Sequence, residues 1–262
     1  MNLRIFSLYS GSSGNAFLIA NERADGTECI LIDGGKNSKR LCACLAECGY
    51  SPEQIRAVLV THEHCDHISA LPVFTKRFRI PVHAVGETAE ALVLSGVNPE
   101  LVISHSEPFR ERIGGFFVTA FPTPHDSRAS VGYRIETEIE NGFCRIGYAT
   151  DMGTLTDSVR ENLTGCDYVI LESNHDLDML WNGRYPYPLK KRIAGARGHL
   201  SNADCAAFAA ELAESGTKRI LLAHLSRENN TPEFAYQATA KQLSGKDVLL
   251  RVAAPEKITE LI

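Results

Sequence analysis

No apolar run in this 262-residue chain approaches the roughly 20 residues a helix needs to cross a bilayer, so no helical membrane span is expected. Positive charge is short: 27 Lys and Arg against 32 Asp and Glu leave a formal net charge of −5. That argues against a surface coated in basic charge for gripping long nucleic acid, while a local basic groove stays open. The opening residues run straight into a strand-like pattern without the apolar core and cleavage site of a secretory signal. No C-x-x-C pair occurs, so the eight cysteines do not compose a zinc ribbon. Cys42, Cys44 and Cys48 fall in a helix-like stretch where only Cys44 and Cys48 share a face, and core packing is the better reading. Reduced thiols without an export signal lead to an expected cytoplasmic location. Low-complexity stretches, linkers and short repeats are also missing.

What is present is ordinary globular composition, 44% hydrophobic and 23% charged, and ample length for a core. The pattern predicts strands over 5–8, 16–20, 29–33, 58–61, 82–85, 101–103, 116–121, 131–135, 145–150, 168–172 and 219–223. Helices are expected over 38–48, after 87, and over 155–163, 203–214 and 232–243. Strands with helices between them, in two comparable halves near 1–130 and 131–262, suggest one domain of two packed sheets with helices outside.

One segment carries chemistry. His62-Glu63-His64-Cys65-Asp66-His67 reads H-x-H-x-D-H and follows the apolar run 55–61. His62 and His64 are two apart and can turn to one side of an extended loop, offering two imidazoles to one ion. Asp66 and His67 begin the next element and can serve a second. Such nitrogen and carboxylate donors suit zinc, or manganese and iron where oxygen dominates. Polar residues also recur just after apolar strands: Asp33, His62, His125, Asp151, Glu172 and His224. Strand ends along one edge make a shared rim where sites are commonly built.

This segment, with Ser10-Gly11-Ser12-Ser13-Gly14-Asn15, Thr123-Pro124-His125-Asp126, Thr150-Asp151, 171–176, 198–202 and 222–230, resembles the metallo-β-lactamase-fold hydrolases. Together these stretches resemble the bacterial YycJ/WalJ-type exonuclease branch of that superfamily. The resemblance covers nearly the whole chain. It implies an αββα sandwich of two mixed sheets flanked by helices, with a site for two divalent ions (Zn, Mn or Fe) at one edge. On that resemblance His62, His64 and His125 hold the first ion, and Asp66, His67 and His224 hold the second. Asp151 bridges the two, and Asp66 counts as a catalytic group as well as a ligand. Two cations beside one water lower its pKa and yield hydroxide near neutral pH. Asp33 is expected to orient a ligand histidine or the motif loop, or else simply to turn the chain. By likeness to related phosphodiesterases, His199 is the general acid and Glu172 holds it. His175 is the second candidate for the acid. Either histidine would otherwise cap the segment that follows it.

Substrate signals are open in the sequence. Ser12, Ser13 and Asn15 can bind a phosphate or simply turn the chain. Lys190, Lys191 and Arg192 can hold phosphates or form a solvated face. Trp181, Tyr185 and Tyr187 can stack bases or pack. The expected function is therefore a two-metal phosphodiesterase acting on nucleic acid, DNA before RNA. A thioesterase of the hydroxyacylglutathione type is the alternative, and a metal-binding scaffold without catalysis is the alternative of another class. A thiolate leaving group needs no separate acid, so the Glu172/His199 pair counts against the thioesterase.

Overall fold

The apolar runs become strands because both of their faces are covered. The computed structural model describes residues 2–24, 26–106, 109–140 and 142–262. Among these, the strands form two seven-stranded sheets. The first contains β1 (Asn2–Tyr9), β2 (Ala16–Arg23), β3 (Gly26–Ile32), β4 (Ile55–Leu59), β5 (Val82–Val85) and β6 (Val102–His105). The second contains β7 (Phe109–Ile113), β8 (Phe116–Pro122), β9 (Val131–Ile139), β10 (Gly142–Ala149), β11 (Tyr168–Glu172), β12 (Arg219–Ala223) and β13 (Leu249–Val252). The short β14 (Thr259–Glu260) returns to pair with β1 at the edge of the first sheet.

Each sheet changes character partway. β1, β2 and β3 are antiparallel, whereas β3 through β6 run parallel. Likewise β7 through β10 are antiparallel and β10 through β13 parallel. Parallel neighbours need crossovers. These are α1 (Ser38–Glu47), α2 (Cys65–Ile68), α3 (Leu71–Phe78) and α4 (Gly86–Leu94) for the first sheet. The second uses α5 (Asp157–Leu163), α6 (Leu177–Asn182), α7 (Tyr187–Ile193), α8 (Asn202–Glu214) and α9 (Pro232–Gln242).

Alternation along each strand divides the core into layers. Phe17, Ile19, Ile30 and Ile32 face Ile146, Tyr148, Ile170 and Leu221 between the sheets. Leu18 and Leu31 point outward onto Leu41, Leu45, Phe74 and Leu92 of α1, α3 and α4. Val169, Leu171 and Leu222 do the same against Leu163, Phe208 and Leu212 of α5 and α8. Each such side chain contributes about 1.5–3 kcal/mol on full burial. Cys44 and Cys48 lie in the outer layer of the first sheet, as core packing requires, and all eight cysteines are free.

The expected sandwich is present, with differences that have physical causes. The chain changes sheets between β6 and β7, ahead of the division expected near residue 130. β7 went unexpected because Arg110, Glu111 and Arg112 are all exposed on a sheet edge, which erases its alternation. β13 and β14 are short and edge-placed, and α3, α6 and α7 have eight residues or fewer. No helix of the described residues is long and apolar enough to cross a membrane. The C-terminal ends of β3, β4, β10, β11 and β12 converge on one edge, and this arrangement positions the site.

Candidate metal centre

β4 ends at Leu59, and the chain crosses Val60 and Thr61 in extended form before His62. Three of the polar residues that follow strands adopt left-handed backbone: Asp33 at φ 59°, Asp151 at φ 57° and His224 at φ 55°. Non-glycine residues seldom adopt this conformation, and where they do the surrounding structure must over-determine them. The surroundings here are dense. Asn15 N donates to Asp66 O at 2.8 Å, Gly35 N to Asn15 O at 2.9 Å, and Gly34 N to His67 O at 2.6 Å. A Cβ on Gly35 would lie 2.0 Å from Asp66 O, so only glycine permits this closure.

His62, His64 and His125 form the first cluster. His62 Nε2 and His64 Nδ1 are 3.0 Å apart, and His125 Nε2 is 3.3 Å from His64 Nδ1. Two imidazole nitrogens on a tetrahedral zinc, at 2.0–2.1 Å each, stand about 3.3 Å apart. The far ring nitrogens are tied to neutral oxygens. His62 Nδ1 lies 3.0 Å from the Thr61 hydroxyl, and His125 Nδ1 is 3.1 Å from Gly198 O. With those nitrogens donating, Nε2 keeps its lone pair. Burial, together with neighbouring histidines, holds His62 well below its ordinary pKa. Burial lowers His125 as well.

Asp66, His67 and His224 form the second cluster, and Asp151 reaches both. His67 Nε2 lies 3.5 Å from Asp66 Oδ2 and 3.3 Å from Asp151 Oδ2. His224 Nε2 lies 3.6 Å from Asp66 Oδ2 and 3.4 Å from Asp151 Oδ1. The same Asp151 Oδ1 is 4.0 Å from His125 Nε2. Behind His67, Asp33 Oδ2 stands 2.8 Å from Nδ1, while Asp33 Oδ1 accepts from Thr61 N at 2.8 Å. Asp33 thus fixes the His67 ring and the motif loop together.

The donor set fits divalent cations. Asp33 and Glu172 are fully buried and Asp151 is 2% exposed, a concentration of carboxylates that needs positive charge. Asp151 Oδ2 and His224 Nε2 are buried without a hydrogen-bond partner among the described residues, both on the cluster's inner side. Burial alone would discharge His67 and His224. The carboxylates reverse that, holding His67 well above its ordinary pKa and His224 at about 10. Protons there occupy the electrostatic role a metal would take.

Glu172 closes the second cluster from behind. Its Oε1 is 2.8 Å from His199 Nδ1 and 3.1 Å from His224 Nδ1. Its Oε2 accepts from Met152 N at 2.8 Å and Leu200 N at 3.2 Å. Burial opposes its ionisation, but His199 and these bonds hold it well below the usual carboxylate range. Burial likewise opposes a charged His199, and Glu172 and Asp151 overcome it, raising His199 above its ordinary pKa. The His199 side chain is 21% exposed, so it opens to the cleft while its partner is sealed. It does not cap α8, because Ser201 Oγ does, accepting from Asp204 N. His175 is 1% exposed, and Asp176 caps α6, so His175 is neither the cap nor accessible as an acid.

The substrate residues divide. Ser12 and Ser13 are exposed. Asn15, expected at the substrate, is fully buried instead. Its amide nitrogen is 3.3 Å from Asp66 Oδ2 and 3.1 Å from His67 Nε2, and its oxygen accepts from Gly11 N at 2.9 Å. It braces ligands rather than meeting substrate. Lys190 is also largely committed: Nζ donates to Trp181 O at 2.8 Å and Gly183 O at 2.7 Å, tying α6 to α7. Arg192 pairs with Asp126, and Lys191 sits over the Tyr187 ring at 5.0 Å. Trp181 and Tyr187 are 6.2 Å apart and both exposed. Sequence reasoning missed Ser10, whose hydroxyl accepts from His224 N at 2.8 Å, and Asn174, which donates to His224 O at 2.9 Å. Both lie in stretches that carry the resemblance, but nothing in those stretches assigns either a role.

Residues 21–225 match the β-lactamase superfamily domain. The chain is 32% identical over 245 residues to exodeoxyribonuclease WalJ of Streptococcus pneumoniae serotype 2, covering 92% of this chain and 88% of that one. It is 31% identical over 248 residues to exodeoxyribonuclease YycJ of Bacillus anthracis, covering 94% and 91%. In structure it is similar to the metallo-β-lactamase-fold protein YhfI of Bacillus subtilis, with TM-score 0.69 and 18% identity over 99% of this chain and 100% of the other.

Proposed function

The chain belongs to the β-lactamase superfamily, and from that premise we propose that it is a metal-dependent phosphodiesterase that removes nucleotides from DNA. The observation that carries this reading is the shared carboxylate oxygen: Glu172 Oε1 lies within hydrogen-bond reach of both His199 and His224. One residue therefore ties a proton-bearing histidine to the proposed ligand set. The kinship with WalJ and YycJ, both exodeoxyribonucleases, supports DNA as the substrate. Eight free cysteines, six of them buried, suit a reducing cytoplasm.

His62, His64 and His125 would hold one divalent ion, Asp66, His67 and His224 a second, and Asp151 both. Zinc, manganese and iron all suit this mixture of nitrogen and carboxylate. When bound, two such ions draw the charge of a phosphodiester and acidify water. The remaining work falls to the protein. Glu172 keeps His199 protonated and fixes its Nδ1, leaving Nε2 to give its proton to the departing oxygen. Asp33 and Gly198 O orient His67 and His125. Ser12 and Ser13, with Lys191 and Arg192, would contact phosphates of the bound strand. Purified protein reconstituted with Mn or Zn should release nucleotides from end-labelled DNA. Brisk hydrolysis of acyl thioesters with DNA left intact would overturn the reading.

A further inference from the structure

Another set of polar groups lies beside the Ser10–Asn15 segment that braces the second cluster. Arg227, three residues past His224, donates to Ser13 Oγ at 2.8 Å and pairs with the Glu256 carboxylate. Lys36 pairs with the same carboxylate, and Arg40 of α1 donates to the Glu256 carbonyl at 2.8 Å. Three cations and a hydroxyl thus converge around one residue in the connection between β13 and β14.

Lys36 is built into this place independently of Glu256. Its backbone is left-handed at φ 59°. A Cβ on Gly14 would fall 2.4 Å from Lys36 Cγ, so glycine there makes room for the lysine stem. Its ammonium sits 5.0 Å from the Tyr9 ring centroid, and its side chain is only 14% exposed. Glu256 is 57% exposed and is the loose member of the group. The set is also coupled to the metal centre through one short segment, because Ser10 Oγ takes the His224 amide and Asn15 N donates to Asp66 O.

We propose that Ser13, Lys36, Arg40 and Arg227 form the subsite for a DNA phosphate beside the bond that is cut, and that Glu256 fills it as a substrate-mimicking carboxylate. The proposal rests on the nuclease reading above. Carboxylate and phosphate offer guanidinium and ammonium groups the same kind of oxygen. Three cations against one carboxylate leave a surplus that suits an incoming phosphodiester or terminal phosphate. Arg227 is half exposed and can exchange one anion for the other without moving its stem. The subsite adjoins the segment whose Ser10 takes the His224 amide, whereas Arg192 pairs with Asp126, next to His125 of the first cluster. A strand held at both flanks would cross the metal centre.

Glu256→Gln keeps the shape and removes the competing charge. The KM for single-stranded DNA should fall about three- to fivefold, the worth of an exposed ion pair. The salt slope of log(kcat/KM) should steepen by about one, since one more phosphate contact displaces counterions. Arg227→Gln should move KM and slope the opposite way. Bis(p-nitrophenyl) phosphate, too short to span the subsite, should report a much smaller change than DNA in both variants, and thermal melts establish that each folds. If Glu256→Gln raises the KM for DNA, or leaves KM and salt slope where they were, Glu256 is a surface strap and the subsite assignment fails while the nuclease reading stands. If the unmodified enzyme cleaves the nitrophenyl diester and ignores DNA, the nuclease reading fails and the subsite falls with it.

Discussion

The two histidine clusters differ in what stands behind them. His62 and His125 lean on neutral oxygens, the Thr61 hydroxyl and the Gly198 carbonyl. His67 and His224 lean on buried carboxylates, Asp33 and Glu172. The consequence is electrostatic. Burial leaves the first pair of imidazoles depressed in pKa, whereas surrounding carboxylates raise the second pair despite the same burial. The first cluster offers ready lone pairs with little charge. The second is an anionic pocket that a proton or a cation must fill. The proposed general acid His199 shares its carboxylate with the second cluster and not with the first. One carboxylate thus joins the proposed proton donor to the more anionic cluster, on one side of the centre.

The sharpest way to break the contrast is to remove the residue common to both. Asp151 lies 3.3 Å from His67 Nε2, 3.4 Å from His224 Nε2 and 4.0 Å from His125 Nε2. Asp151→Ala should reduce activity to background and lower the content of both ions by elemental analysis. His224→Ala should deplete mainly the second. If Asp151→Ala retains two tightly held ions, Asp151 bridges nothing and the two clusters are independent.

The next effect in size separates proton transfer from metal binding. His199→Ala should cost about a hundred- to ten-thousand-fold in kcat, the usual range for a general acid, with metal content unchanged. The loss should shrink on a nitrophenyl diester, whose leaving group departs without a proton. Glu172→Gln should cost less and shift the histidine limb of the pH–rate profile downward, because the carboxylate is what stabilises the imidazolium. Metal loss in His199→Ala would make it a ligand. Equal losses on both leaving groups would make it a positioning residue.

Much of this centre is legible in the residues because its signals are local. H-x-H-x-D-H needs only a strand before it, and Asp33, Asp151, Glu172 and His224 each lie at or just past the end of an apolar run. The sandwich follows from strands apolar on both faces with helical stretches between. What stayed hidden depends on distant contacts. Nothing near Asn15 says that its amide is spent on Asp66 and His67, 51 and 52 residues away. Lys190 reads as a phosphate contact until Trp181 and Gly183 present carbonyls to it. The resemblance ranks His199 ahead of His175 as the acid, and the Glu172 contact of His199 with the burial of His175 separates them in space. The left-handed backbone at Asp33, Asp151 and His224 leaves no compositional trace, since the enforcing contacts come from other segments.

Asp33 tests whether the anionic backing matters to affinity. Asp33→Asn keeps an acceptor for Thr61 N but removes the charge facing His67 Nδ1. Changes of this kind typically cost about ten- to a hundredfold in metal affinity. Competition with a chromophoric chelator should show the loss confined to one of two sites. A loss spread evenly over both would mean that Asp33 acts by holding the motif loop as a whole, through Thr61, rather than by backing one ring.

The smallest effect, read per unit of pH, follows from the sign of the shifts. His67 and His224 have raised pKa values, the latter about 10, so near neutral pH and without metal both carry protons that an entering cation must displace. Affinity at the second cluster should then fall by up to about tenfold per pH unit for each proton released, as pH drops from about 9 toward 6. His62 and His125 are held below their ordinary pKa, so they release fewer protons over that window and affinity at the first cluster should change less. The metal-free protein should show the converse in thermal melts. Groups with raised folded pKa stabilise it below their unfolded value of about 6.5, and that contribution fades as pH climbs through about 10. Isothermal titration in buffers of different ionisation enthalpy counts the protons directly. Equal proton release at the two sites, or none at either, would show that the carboxylates behind the second cluster do not set it apart.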